Sequence, residues 1–202
     1  VRWRPMTWNV DGVEYFNERA ISTQQTGFVF VAQSRLYIPA PLGGILWFGV
    51  DDTYTSVFSP MYACMTEIPE TFAVGNGDMM TFSDHSAFWV FNQVSNFAYT
   101  RYSDMIPEIQ KKQKELEENY ISMVPAIDKL AAEKYKTDPA SAVQFLTNFS
   151  VTQGNNTVYT WKKLYAYLFT KYLDGNIKTP TNEQNPTLKQ PGYSEDFYRR
   201  LV

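Results

Sequence analysis

Two apolar runs, divided by a connector marked with proline and glycine, constrain this chain most. They lie in FVFVAQSRLYIPAPLGGILWFGVDDTYTSVF, Phe28 to Phe58. Phe28 to Ala32 and Ile45 to Val50 are rich in Val, Ile, Phe and Trp, which suit a pleated surface. Pro39, Pro41, Gly43 and Gly44 punctuate the connector. The pattern predicts two strands. The first is nearly continuous in apolar residues, so both of its faces are expected to be covered. The second runs into Asp51 and Asp52, placing two carboxylates where the strand leaves the core.

At 202 residues the chain fits one domain. A hydrophobic share of 44% against 19% charged residues makes it globular rather than disordered. With 14 Tyr, 14 Phe and 5 Trp, the core should hold many large rings. The net charge of −3 and the lack of a basic patch argue against nucleic acid as a partner. No apolar run approaches the roughly 20 residues of a membrane helix, so no membrane partner is expected. The single cysteine, Cys64, excludes an internal disulfide and a cysteine-rich metal site.

Taken in order, residues 1–27 read as loop, with a turn at Asp11-Gly12 and a short helical turn around Glu14 to Ala20. Thr53 to Met61 extends as an irregular strand. Ser83 or Asp84 offers a cap for a largely buried helix from about Ser86 to Arg101. Asn92 and Asn96 share one stripe of it and need partners if buried. Asp104 and Pro107 open a second helix with a stripe through Ile106, Ile109, Leu116, Tyr120, Met123, Ile127 and Leu130. Pro125 predicts a kink or break near Val124. Asp138-Pro139 starts a third helix, which Gly154 should end near Val151. Asn156 or Thr157 caps a fourth, Val158 to Leu173, with Asp174-Gly175 as its stop. Residues 176–202 form an extended tail whose end, GYSEDFYRRLV, can dock as a short helix. The fold class is therefore α+β, with antiparallel or mixed strands in the first third and several long helices after them.

Candidate chemistry is sparse. Cys64 with His85 as base is one arrangement for covalent catalysis; a small buried thiol and a surface histidine beside Asp84 are the simpler reading. Asp51, Asp52, Asp84 and His85 lack any fixed metal-ligand spacing, and no metal or cofactor is implied. Arg35 and Arg19 could clamp a carboxylate, or form a structural ion pair.

The runs NERAISTQQTGFVFVAQSR, IPAPLGGILWFGVDDTYTSVFSPMYA, SAFWVFNQVSNFAYTRY and GYSEDFYRRLV, in this order, resemble the C-terminal part of the cysteine dipeptidases of the N-terminal-nucleophile (Ntn) hydrolase superfamily. The resemblance extends over nearly the whole chain. It implies a four-layer αββα sandwich, of which residues 1–175 would be an incomplete half. It also implies a nucleophilic cysteine at the mature N-terminus with its own α-amine as base, an oxyanion hole, and short peptides as substrates. The chain begins at Val1, and Cys64 sits mid-chain, so neither matches that nucleophile. The expectation is a C-terminal fragment, inactive alone, whose partner is the N-terminal half of the same enzyme. Asn92 and Asn96 are the candidate supporting groups. Arg35, Asp51 and Asp52 are the candidate substrate-binding groups. Uncovered sheet surface further predicts association, including a possible homo-oligomer. The alternative from another class is a non-catalytic module that holds a peptide or glycan on its aromatic surface.

Overall fold

The computed structural model of the chain describes residues 5–179, 181 and 187–202. It is α+β, with antiparallel strands first and long helices after them. A hairpin comes first: β1 (Thr7–Val10) pairs antiparallel with β2 (Val13–Phe16). Asp11 and Gly12 both take positive φ, 53° and 79°, the backbone that a tight two-residue hairpin turn requires. The expected helical turn around Glu14 is thus replaced by a strand. The apolar and aromatic residues of VEYF pair across the ladder, and Trp8 stacks on Tyr15 with ring centroids 6.1 Å apart.

The two central strands are where the sequence places them. β3 (Phe28–Ser34), β4 (Gly44–Val50) and β5 (Ser59–Tyr62) form an antiparallel sheet in the order β3-β4-β5. Gly43 and Gly44 serve close approach. A Cβ on Gly43 would stand 2.6 Å from the Arg35 carbonyl oxygen, and one on Gly44 2.8 Å from the Ala63 Cβ. β5 is buried throughout, because α3 lies along its outer edge. There Ser150 Oγ accepts from Tyr62 N at 3.0 Å, while Ser59 Oγ and Thr157 Oγ1 share a hydrogen bond at 2.8 Å. β3 differs from expectation. It is an exposed edge, with Phe28, Phe30 and Val31 all more than half exposed. The helices lie against β4 and β5 and leave most of β3 beyond their reach.

Three helices carry the core. α1 (Ala87–Ala98) buries Ala87, Val90, Phe91, Val94, Ser95 and Ala98 at helical spacing. Phe91 stacks on Trp161 of α3 at 4.9 Å. α2 (Tyr102–Thr137) is one helix of 36 residues, so the break expected at Pro125 does not occur. Proline removes a hydrogen bond to the carbonyl four residues back. Here that carbonyl belongs to Ile121. Ile121 and Pro125 both lie on the exposed side, where water can take the freed acceptor, while the opposite side packs on α3. The buried stripe is Met105, Ile109, Tyr120, Val124, Asp128 and Ala131. Leu130 falls outside it and is exposed.

α3 (Pro139–Tyr172) replaces the two helices expected on either side of Gly154. Its start is as read: Asp138 Oδ1 accepts from Ser141 N at 3.0 Å, with Pro139 in the first turn. Gly154 does not end it. A Cβ there would lie 2.4 Å from Pro69 Cγ, so this glycine opens space for a crossing segment. Thr147, Ser150, Gly154 and Thr157 form a small, buried stripe on which that segment and β5 rest. Asp174 and Gly175, at φ 58° and 72°, stop the helix. β6 (Ile177–Thr179) and β7 (Thr187–Lys189) then pair, and a one-turn helix α4 (Glu195–Arg199) follows, capped by Ser194. Of the tail prolines, Pro180 and Pro186 lie outside the described residues.

Candidate functional site

The polar chemistry gathers where β4 leaves the sheet. Asp51 adopts φ 66°, a left-handed conformation that Asp tolerates better than most side chains. Its N–H donates to Gly27 O at 3.1 Å. The turn directs Asp51 and Asp52 inward, and they are 1% and 2% exposed. Asp51 Oδ2 accepts from Ser95 Oγ of α1 at 2.5 Å, while Oδ1 has no hydrogen-bond partner. Burial pushes the Asp51 carboxyl up to about 7, against the opposing pull of the Ser95 hydroxyl. Asp52 is better served: the hydroxyls of Tyr99 and Ser22 donate to it, and so does Tyr54 N at 3.1 Å. The Tyr99 phenol is raised in turn by burial and by that bond to Asp52. Tyr102 stacks on Tyr99 at 5.6 Å.

Arg35 sits at the other end of β4, about 20 Å away by the rise of a strand. It is buried and its donors are met. Nε reaches Gly43 O at 3.1 Å, one terminal nitrogen reaches Leu42 O at 3.2 Å, and the other pairs with Asp128 of α2. Tyr62 OH donates to the second Asp128 oxygen at 2.6 Å, and the guanidinium lies over the Tyr62 ring at 5.4 Å. Burial and Asp128 raise the Tyr62 phenol. The structure therefore brings Asp51 and Asp52 together and holds Arg35 apart from them.

Asn92 and Asn96 turn back on their own helix. Asn92 Nδ2 donates to Phe88 O at 2.8 Å, and Asn96 Nδ2 to Asn92 O at 3.0 Å. The α1 side chain that meets the carboxylates is Ser95, between them in sequence. Ser95, Tyr99, Ser22 and Asp128 were not singled out by the sequence. A signal for Asp128 existed, since it continues the Tyr120–Val124 spacing of the buried α2 stripe.

The Cys64–His85 arrangement loses its footing. The thiol is half-buried against the Leu42–Ile45–Tyr62 core, and burial raises its pKa, opposite to what a nucleophile needs. His85 is exposed beside Asp84, 3.5 Å away. Among the described residues no group of three or more His, Cys, Asp or Glu is placed to hold a metal ion, and no helix is long and apolar enough to cross a membrane.

The sheet face away from α2 carries Phe28, Phe30, Leu46, Phe48 and Met61. Phe28 stacks on Phe30 and Phe48 at 6.4 and 5.9 Å, and Phe72 meets Phe48 edge-on at 6.0 Å. Comparison with curated proteins finds no match. The family model described as peptidase family C69 matches residues 5–115. That span takes in the β1–β2 hairpin, the whole β3-β4-β5 sheet, the Asp51–Asp52 cluster, α1 and the start of α2. More than half of the 202 residues fall within the match, and on that evidence the chain belongs to peptidase family C69.

Proposed function

We propose that this chain is the C-terminal portion of a peptidase that hydrolyses dipeptides through an N-terminal cysteine carried on a segment outside this sequence. The supporting observation is the aromatic sheet face. Phe28 and Phe30 are 59% and 52% exposed on a sheet whose helices pack elsewhere. An apolar face of this kind marks a surface built to be covered. A second sheet laid on it would yield the αββα sandwich that the resemblance implies, with the nucleophile delivered between the two sheets.

In this reading the attacking thiol is activated by its own α-amine, and backbone or side-chain donors stabilise the oxyanion. Asp51 and Asp52 form a polar rim at one end of the wall, steadied by Ser95 of α1 and by Tyr99 just past its end. Asn92 and Asn96 act by supporting α1. Arg35 ties β3, the Leu42–Gly43 turn and α2 into one rigid piece, since its donors are already engaged. The test is dipeptide hydrolysis by the full-length gene product, repeated after the upstream cysteine is changed to alanine. Loss of activity in the variant is expected. Hydrolysis that survives the change rules out the thiol mechanism.

A further inference from the structure

We propose that the concave patch between the open sheet face and the segment 63–72 is a receptor for one uncharged, apolar side chain of the peptide substrate; the identity of that ligand rests on the peptidase reading above. The concavity holds about 340 Å³, at the lower end of small-ligand sites, which run from roughly 300 to 1,000 Å³. Leu46, Phe48 and Met61 form its floor, and Met65, Ile68 and Phe72 its wall. The Tyr62 side chain points to the opposite sheet face, fully buried with its hydroxyl on Asp128, and adds no polar group to the hollow. No charged side chain lines it, so a carboxylate or ammonium entering would lose water without gaining a partner. Leu, Met and Phe side chains lose nothing by entry, and two flexible methionines let the pocket adjust among them.

The wall is fixed before any ligand arrives. Thr66 N donates to Thr147 Oγ1 at 3.1 Å. Thr71 donates to Asn155 Oδ1 through its hydroxyl at 3.0 Å and its N–H at 3.4 Å. Pro69 rests on the gap left by Gly154. A segment pinned to α3 at three points holds a hollow rather than a collapsed loop. Phe28 and Phe30, on the same sheet face, project as stacked rings and suit packing against another sheet. The hollow beside them suits a side chain.

The experiment uses this chain with ¹³C-labelled methionine methyl groups, titrated with leucyl-leucine and, separately, with glutamyl-glutamate at millimolar concentration. Leucyl-leucine is expected to shift the Met61 and Met65 methyl signals and leave Met105, fully buried among the helices, in place. Glutamyl-glutamate should shift neither. Ile68→Glu, at a position 58% exposed where the fold is not at stake, should abolish the response. Equal shifts from both dipeptides, no shift from either, or a response that persists in Ile68→Glu overturns the proposal and assigns the hollow to packing by another segment. Because the readout is binding, that failure leaves the peptidase reading standing. Intact methyl shifts with no hydrolysis by the full-length product would sink the peptidase reading and leave the hollow as a site for an apolar peptide side chain.

Discussion

Ser95 of α1 donates a 2.5 Å hydrogen bond to Oδ2 of Asp51, whose Oδ1 is buried with no partner. One hydroxyl thus meets half of a carboxyl that water cannot reach. The neutral acid suits such a site better than the anion, which is why the group titrates near 7 rather than at its ordinary 3.8.

A carboxyl whose folded pKa is raised makes the folded state the stronger proton binder. Its effect on stability is therefore most favourable at acid pH and declines as pH rises from about 4 through about 7. The full decline is at most roughly 4 kcal/mol for this group, since each pKa unit is about 1.4 kcal/mol. Asp51→Asn removes the titration. The variant should be less stable by about 1 kcal/mol near pH 3, from a poorer match to Ser95, and be the more stable protein at pH 8. Denaturant unfolding at the two pH values measures this. Parallel pH slopes in the two proteins would contradict the burial argument.

Asp128 offers a second test. It is the sole carboxylate facing the Arg35 guanidinium in the described residues and also accepts from Tyr62. Asp128→Ala leaves an arginine charge in the core, which typically costs 3–5 kcal/mol. Arg35→Met with Asp128→Leu removes both charges at similar volume and should recover much of that loss. A double variant no better than Asp128→Ala would mean that Tyr62 and the Leu42–Gly43 carbonyls, rather than the ion pair, hold this corner.

Where the sequence was legible, local signals and packing agreed. The β-branched and aromatic runs at 28–32 and 45–50 became β3 and β4, Asp138-Pro139 opened α3, and Asp174-Gly175 closed it. It misled where packing overrode a local rule. Pro125 stays within α2 because its lost bond falls on the solvent side, and Gly154 stays within α3 because Pro69 occupies the place of a side chain. The apolar run of β3 predicts cover on both faces, and composition alone cannot say which chain segment does the covering. Of the candidate site, the two strand-end carboxylates could be picked out by position. Their partners could not, because Ser22, Ser95 and Tyr99 come from segments that only the fold brings together.

The Gly154–Pro69 contact can be tested directly. In an ordinary helix interior, Gly→Ala gains up to about 1 kcal/mol. Here the added methyl would stand 2.4 Å from Pro69 Cγ, and forced overpacking costs about 1–3 kcal/mol. Gly154→Ala should therefore lower the melting temperature, and it should also weaken the leucyl-leucine response of Met65 by displacing the wall. A variant that melts higher would show that the Pro69 segment yields freely and that the glycine has another origin.

The exposed rings of β3 make the last prediction. Phe28 and Phe30 stack in line with Phe48 on an open face, and the β3 edge presents unpaired backbone groups alongside them. This chain, purified alone, should self-associate in a concentration-dependent way, as sedimentation velocity would report. Phe30→Asp places a charge on the exposed face at one end of the stack and should shift the distribution strongly toward monomer. The ion pairs and hydrogen-bonded cluster elsewhere are untouched, so far-ultraviolet circular dichroism should not change. If the N-terminal segment is the natural cover, supplying it in trans should have the same dissociating effect on the wild-type chain. Self-association unaffected by both treatments would place the sticky surface elsewhere, with the exposed Trp8, Tyr15 and Phe16 of the β1–β2 hairpin next in line, and would remove the main support for a second sheet on this face.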